Sequence, residues 1–193
     1  MAIITVERSW RQQVADHLAV TKPRIIILIV LTTWAALWLA APERPDAAKV
    51  FFTLLGTAFA VGSAHTFNQY LERDIDALMQ RTKNRPLVTG RMSPRHALRY
   101  GFTLAALSLL LMAWQVNLAS ALLAQLGLLY YVLVYTALLK RRTPLNTVIG
   151  GVSGAIPPLI GWAAATGRVE APALLLFLLM VLWQPPHFFA LSL

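Results

Sequence analysis

Cysteine is absent from all 193 residues, which excludes disulfides, thiolate metal centres and cysteine nucleophiles together. Charge is scarce as well. Asp, Glu, Lys and Arg make up 13% of the chain and hydrophobic residues 58%, far more apolar side chain than one soluble core of this length can hide. Acidic residues are the rarer sign, eight against seventeen Lys and Arg, for a formal net charge of +9. In a soluble chain that excess would suggest nucleic acid. Here the basic residues lie between apolar runs, where they orient membrane segments, and no nucleic-acid partner is expected. Residues 1–22 lack an apolar h-region and a small-residue cleavage site, so the first apolar run is expected to serve as its own insertion signal. They also lack the Arg/Ser-rich character of a mitochondrial presequence, which favours a bacterial cytoplasmic (inner) membrane. No internal repeat of the kind found in transporter halves is visible.

What is present is a series of apolar runs near the ~20 residues that span a bilayer. The sequence predicts an all-α, polytopic membrane bundle in a single domain over 1–193, with six spans at 24–42, 50–71, 97–115, 118–139, 145–166 and 171–191. The distribution of Lys and Arg supports both their number and their direction. Fourteen of the seventeen fall in the N-terminal segment (Arg8, Arg11, Lys22, Arg24), the second connection (Arg73 to Arg99) and the fourth (Lys140, Arg141, Arg142). Arg44, Lys49 and Arg168 alone fall on the other side. By the positive-inside rule the N-terminus and both basic connections are cytoplasmic. Pro157-Pro158, among Gly150, Gly151, Gly154 and Gly161, and Pro185-Pro186 interrupt the last two spans and suggest a pocket within the bundle. The chain stops at Ser192-Leu193 directly after an apolar run, and is expected to be incomplete at its C-terminus.

The second connection is the long polar one, and a cytoplasmic loop at about 72–96 is expected to carry function. At its start Asn68, Glu72 and Asp76 recur at intervals of four, which places them on one face if the segment is helical. Two carboxylates and an amide oxygen form a hard-oxygen set suited to Mg²⁺ and, through it, to a diphosphate. The plainer reading is a solvated helix end whose acids balance nearby arginines. Asp74 points away from this face and is expected to pair with Arg73 or Arg81. Downstream, Arg81, Lys83 and Arg85 could grip phosphate oxygens, as could Lys140 and Arg141 across the bundle, or all five could simply hold their loops inside. Tyr130, Tyr131 and Tyr135 could offer π-faces to a developing carbocation or serve as interfacial anchors. His65 and His187 lie within spans, where each could ligate a porphyrin iron or make a helix contact; His17 and His96 look peripheral.

The ordered set of Asn68 to Asp76, RTKNRP (81–86), KRRTPLN (140–146), GGVSGAIPPLIGWAA (150–164) and WQPPHFFALSL (183–193) resembles the UbiA-type intramembrane prenyltransferases, and among them the heme O synthases. The resemblance runs along most of the chain from Pro23 onward. It implies a nine-helix bundle around a central cavity, of which about six helices are present, with Mg²⁺ bridging the acidic motif to farnesyl diphosphate. It implies transfer of the farnesyl group to a vinyl group of heme B, which is substrate and not cofactor, giving heme O and diphosphate on the way to heme A for terminal oxidases. Asn68, Glu72 and Asp76 would then hold the metal and serve catalysis. Arg81, Lys83, Arg85, Lys140 and Arg141 would hold phosphates or propionates, with Tyr135, His65 and His187 lining the substrate site, membrane lipid around the bundle and heme A synthase as a partner. Glu72 stands where the family pattern usually has Asp, and the family's second polar motif would lie beyond Leu193, so this chain alone is expected to be an incomplete enzyme. A UbiA-type enzyme acting on an aromatic quinone precursor is the nearest alternative; a non-catalytic membrane heme-binding protein is the one from another class.

Overall fold

The computed structural model describes residues 9–143 and 145–191; Arg8 of the basic N-terminal segment, Pro144 and Ser192-Leu193 lie outside them. Seven helices account for most of the described residues, and six are long and apolar enough to cross a membrane. Those six correspond one to one with the predicted spans.

The extra helix is α1 (Trp10–Thr21), begun by Ser9, whose hydroxyl accepts from the Gln12 amide. It is too short and too polar to span, and apolar run length could not reveal it. Lys22 ends it in the left-handed region (φ 55°), and Pro23 at once opens α2 (Pro23–Ala40). Proline suits that first helical position because its missing N–H would be unpaired there anyway. Asp46 caps α3 (Ala47–Leu78), whose 32 residues extend about 48 Å at 1.5 Å per residue. A bilayer core needs about 30 Å. The last turns of α3 therefore project past the apolar zone and carry Glu72 and Asp76, so these acids stand on a helix and the polar connection shrinks to residues 79–93. That connection is a run of tight turns, with Lys83 N–H donating to Met79, Val88 to Arg85 and Met92 to Pro86.

Ser93 and Pro94 start α4 (Pro94–Gln115), and Asn117 caps α5 (Leu118–Leu129). The amide of Asn117 also donates to Ala163 O at 2.8 Å, tying this turn to the end of α6. From Tyr130 to Leu139 the fourth span continues as a π-helix, closed by the Lys140 N–H donating to Tyr135 O. Such wide turns are uncommon and recur at functional sites. α6 (Asn146–Thr166) and α7 (Ala171–Leu191) complete the bundle, joined by a turn in which Glu170 accepts from Trp162 and Arg168.

α6 is the most enclosed span, packed by α2, α5 and α7, while α3 packs along α4. Its small residues explain this. A side chain at Gly161 would collide with the backbone of α2 at Thr33, and the positions at Gly151 and Gly154 are filled by Gln184 of α7. Tyr135 lies against Gly150. Small residues permit such close approach between helices in lipid, where dispersion and interhelical hydrogen bonds drive association. The expected pocket beside the tandem prolines is, at these glycines, packed protein. The apolar core lies where Ala60, Met112, Ala121, Ala124, Ile156 and Ile160 meet, about midway along the bundle, and leaves the projecting end of α3 for polar groups.

Candidate active site

The i, i+4 spacing on α3 produces the predicted shared face: Asn68, Glu72 and Asp76 are all buried, 5% exposed or less, while Asp74 points outward. Burying two carboxylates is costly unless each finds a cation. Lys140 reaches Glu72 with Nζ at 2.6 Å from Oε1 and 2.8 Å from Oε2, and Arg85 pairs with Asp76 at 2.5 Å. Asn68 joins the network through its amide, donating to Glu72 Oε2 at 2.9 Å and to Thr136 Oγ1 at 3.2 Å. Its carbonyl accepts from Lys22 Nζ at 3.1 Å.

Three elements distant in sequence thus meet at the end of α3: the α1–α2 junction through Lys22, the turn after α3 through Arg85, and the end of the fourth span through Lys140. Each is aimed by local structure. The left-handed backbone at Lys22 turns its side chain back toward α3, and Gln69 fixes the end of α1 by donating to Val20 O at 2.8 Å. Thr82, in the RTKNRP motif, is buried and donates to Asp76 O at 2.8 Å, folding the turn that presents Arg85. Burial lowers the pKa of Lys22 to about 8; Arg85 and Lys140 add repulsion, and Glu72 and Asp76 oppose it.

Of the predicted phosphate-binding residues, Arg85 and Lys140 join this cluster. Arg81 and Lys83 are exposed. Arg141 lies elsewhere: its guanidinium grips the exposed Asp74 with two hydrogen bonds at 2.9 and 2.7 Å and donates to Leu71 O. The hydrogen bonds it donates to Asp74 raise the pKa of Arg141 further. This corrects the expected partner of Asp74, since Arg73 instead donates to Tyr70 O and lies over the Tyr70 ring. The tyrosines divide as well. Tyr135 lies 5.8 Å from Lys140 Nζ and beside Tyr131, whereas Tyr130 donates its hydroxyl to Ile149 O on α6.

His65, one turn deeper than Asn68, is buried edge-on against Tyr131, and neither ring nitrogen has a hydrogen-bond partner among the described residues. His187 stacks on Trp183 along α7, at 4.3 Å between ring centres. Reading by sequence missed Lys22, taken there as topogenic, and Thr136, which receives Asn68. The available signals were a Lys-Pro pair at the edge of a span and a lone hydroxyl in an apolar run.

Two carboxylates and an amide oxygen fit Mg²⁺, which is commonly held by one or two carboxylates with water and substrate phosphate completing the shell. Among the described residues no three His, Asp or Glu side chains converge, so substrate and solvent oxygens would have to complete such a site. The cations now on Glu72 and Asp76 mark where a divalent charge would be stabilised, and could turn to phosphate oxygens if it arrived.

A sequence profile of the UbiA prenyltransferase family matches residues 29–193. A protein of Symbiobacterium thermophilum named protoheme IX farnesyltransferase is 52% identical over 94% of the chain and 61% of its own length. One of Rhizorhabdus wittichii with the same name is 50% identical over 98% of the chain and 61% of its own. The chain thus spans about three-fifths of the length of these relatives. Among solved structures, a digeranylgeranylglyceryl phosphate synthase superposes with a TM-score of 0.78 at 19% identity, covering 89% of this chain and 59% of the other. A UbiA homolog from Archaeoglobus fulgidus bound to DMAPP and Mg²⁺ superposes with a TM-score of 0.74 at 22% identity, covering 86% and 60%.

Proposed function

The chain belongs to the UbiA prenyltransferase family, and from that premise we propose that it carries the diphosphate-activating part of an enzyme that transfers a farnesyl group from farnesyl diphosphate to a vinyl group of heme B, giving heme O and diphosphate. The observation that carries this reading is the buried Asn68–Glu72–Asp76 face met by Lys22, Arg85 and Lys140, in a chain about half identical to proteins named for that reaction.

Asn68, Glu72 and Asp76 would hold Mg²⁺. Bound there with the substrate, it would act as a Lewis acid that stabilises charge on the departing diphosphate. Lys140, Arg85 and Lys22 release their present oxygen partners and hold phosphate oxygens, Arg85 by a two-point grip and the lysines as point charges. The farnesyl chain extends into the apolar bundle. Tyr131 and Tyr135 present ring faces near the cleaving C1–O bond, stabilising positive charge as it develops. The apolar surroundings keep water from the allylic cation until the vinyl carbon has attacked, after which water adds at the adjacent carbon and loses a proton. Arg81 and Lys83, exposed beside the site, suit the propionates of heme B. The N-terminus and both basic connections face the cytoplasm of a bacterial inner membrane, the side that supplies a water-soluble diphosphate head.

The test is mass spectrometry of hemes extracted from membranes containing the chain, supplied with heme B, farnesyl diphosphate and Mg²⁺, with a chelated control. The expected product is heme bearing a hydroxyethylfarnesyl group, formed only with metal. Prenylation of an aromatic quinone precursor in competition with heme B, without heme product, overturns the substrate assignment.

A further inference from the structure

We propose that His17 and His96 form a binding site for a divalent transition metal ion of the zinc class, separate from the acidic face of α3, where side chains of α1 meet the start of α4. The two residues are 79 positions apart in sequence, yet their Nε2 atoms stand 2.8 Å apart. Two imidazole nitrogens hold that contact only if one presents a lone pair. On His17 the assignment follows from the other nitrogen: Nδ1 lies 2.7 Å from Gln13 O, and a carbonyl only accepts, so Nδ1 carries the proton. In the neutral ring Nε2 is then the lone-pair atom. A ligand histidine is fixed in the same way, by a carbonyl accepting its outer N–H. The ring of Tyr100, edge-on at 4.9 Å, holds the His17 ring plane.

The geometry needs little change to accept an ion. Two metal–nitrogen bonds of about 2.0–2.1 Å in a tetrahedral shell set their nitrogens roughly 3.3 Å apart, so the pair must open by about half an ångström. His96 then shifts its proton to the outward Nδ1, with no net proton gained or lost. The rings already meet at 79°, edge to face, and the exposed side of His96 leaves it free to swing.

Beside the pair lies a cavity of about 350 Å³, lined also by Gln13, Asp16, Arg91, Met92 and Ser93. A water occupies about 30 Å³, so the cavity has room for the waters that complete a shell. The Asp16 carboxylate, paired with Arg91 at 2.9 Å, places an acidic group on the same wall. No third imidazole or carboxylate converges with the pair among the described residues, which makes this an open, exchangeable site unlike a closed structural zinc site. Nitrogen donors also set its preference: imidazole favours zinc and its neighbours, whereas the oxygen set on α3 favours Mg²⁺. The ion would cross-link α1 to α4 and so brace the helix that leads directly into Lys22.

The test is calorimetric titration of the purified full chain in nanodiscs with Zn²⁺, in excess Mg²⁺ to fill oxygen sites. It is repeated on His17→Gln, His96→Gln and Glu72→Gln, with X-ray absorption on the zinc-loaded wild type. The expected result is one equivalent bound by wild type and by Glu72→Gln, at least about tenfold weaker in either histidine variant, with two imidazole nitrogens in the zinc shell. Absence of binding, equal binding in all four proteins, loss in Glu72→Gln alone, or a shell without imidazole each overturns the proposal, and the pair is then a helix-docking hydrogen bond. None of these readouts depends on farnesyl transfer.

Discussion

Lys22 is subject to two opposed effects that substitution can separate. Its left-handed backbone is uncommon for a residue with a Cβ and costs about 1–2 kcal/mol relative to an ordinary helical conformation. Its side chain is half-buried, and the ammonium donates to Asn68 at 3.1 Å. Lys22→Ala removes the ammonium and keeps the strain; Lys22→Gly removes both. Glycine gives back about 0.5–1 kcal/mol through its greater freedom in the unfolded chain, so the glycine variant should be the more stable of the two by roughly 1 kcal/mol. For a chain of this size that difference corresponds to about 2–4 °C in melting temperature. Thermal unfolding in mixed micelles, followed by tryptophan fluorescence, measures it. Farnesyl transfer by both variants should fall alike, because both lack the cation at Asn68. An alanine variant as stable as the glycine variant refutes the strain argument, and full turnover in either refutes the role given to the ammonium.

Asp76→Ala should abolish heme farnesylation while membrane insertion, read from the yield in washed membranes, stays at the wild-type level; unchanged turnover removes Asp76 from the proposed metal-binding set. Arg141→Ala should leave turnover near wild type in the same assay, since its guanidinium is engaged by the exposed Asp74 outside the buried cluster. Gly161→Ala should lower the melting temperature by several degrees, because overpacking costs about 1–3 kcal/mol and the added methyl meets the backbone of α2, which cannot yield as a side chain tip would. Tyr130→Phe should destabilise without changing the KM for farnesyl diphosphate, its hydroxyl being spent on Ile149 O.

The features legible in the sequence are those encoded locally. Run length located six spans, and period four aligned Asn68, Glu72 and Asp76, because both are properties of one helix alone. The same locality explains the failures. Polarity after Leu71 read as loop because hydropathy reports the solvent a segment meets, and α3 continues as helix after leaving the apolar zone. Asp74 was assigned to neighbours in sequence, Arg73 or Arg81, while its partner Arg141 comes from the far end of the fourth span. Lys22 and Thr136 looked topogenic and incidental because their roles exist only where three connections meet.

That meeting point also explains why the charges are so few and so placed. A bilayer protein can bury Glu72 and Asp76 only with cations close by, and here each cation arrives on a different connection. The basic clusters outside the spans and the acidic face therefore share residues: Lys22, Arg85 and Lys140 are three of the fourteen Lys and Arg of those clusters, and each also meets the Asn68–Glu72–Asp76 face. Arg141, equally basic and adjacent to Lys140, turns outward to Asp74 instead. The number of basic residues in a connection thus does not decide which of them reach the acidic face; the direction of each side chain does, and that direction is fixed by local devices: the left-handed turn at Lys22, the Thr82 hydrogen bond and the π-helix leading into Lys140.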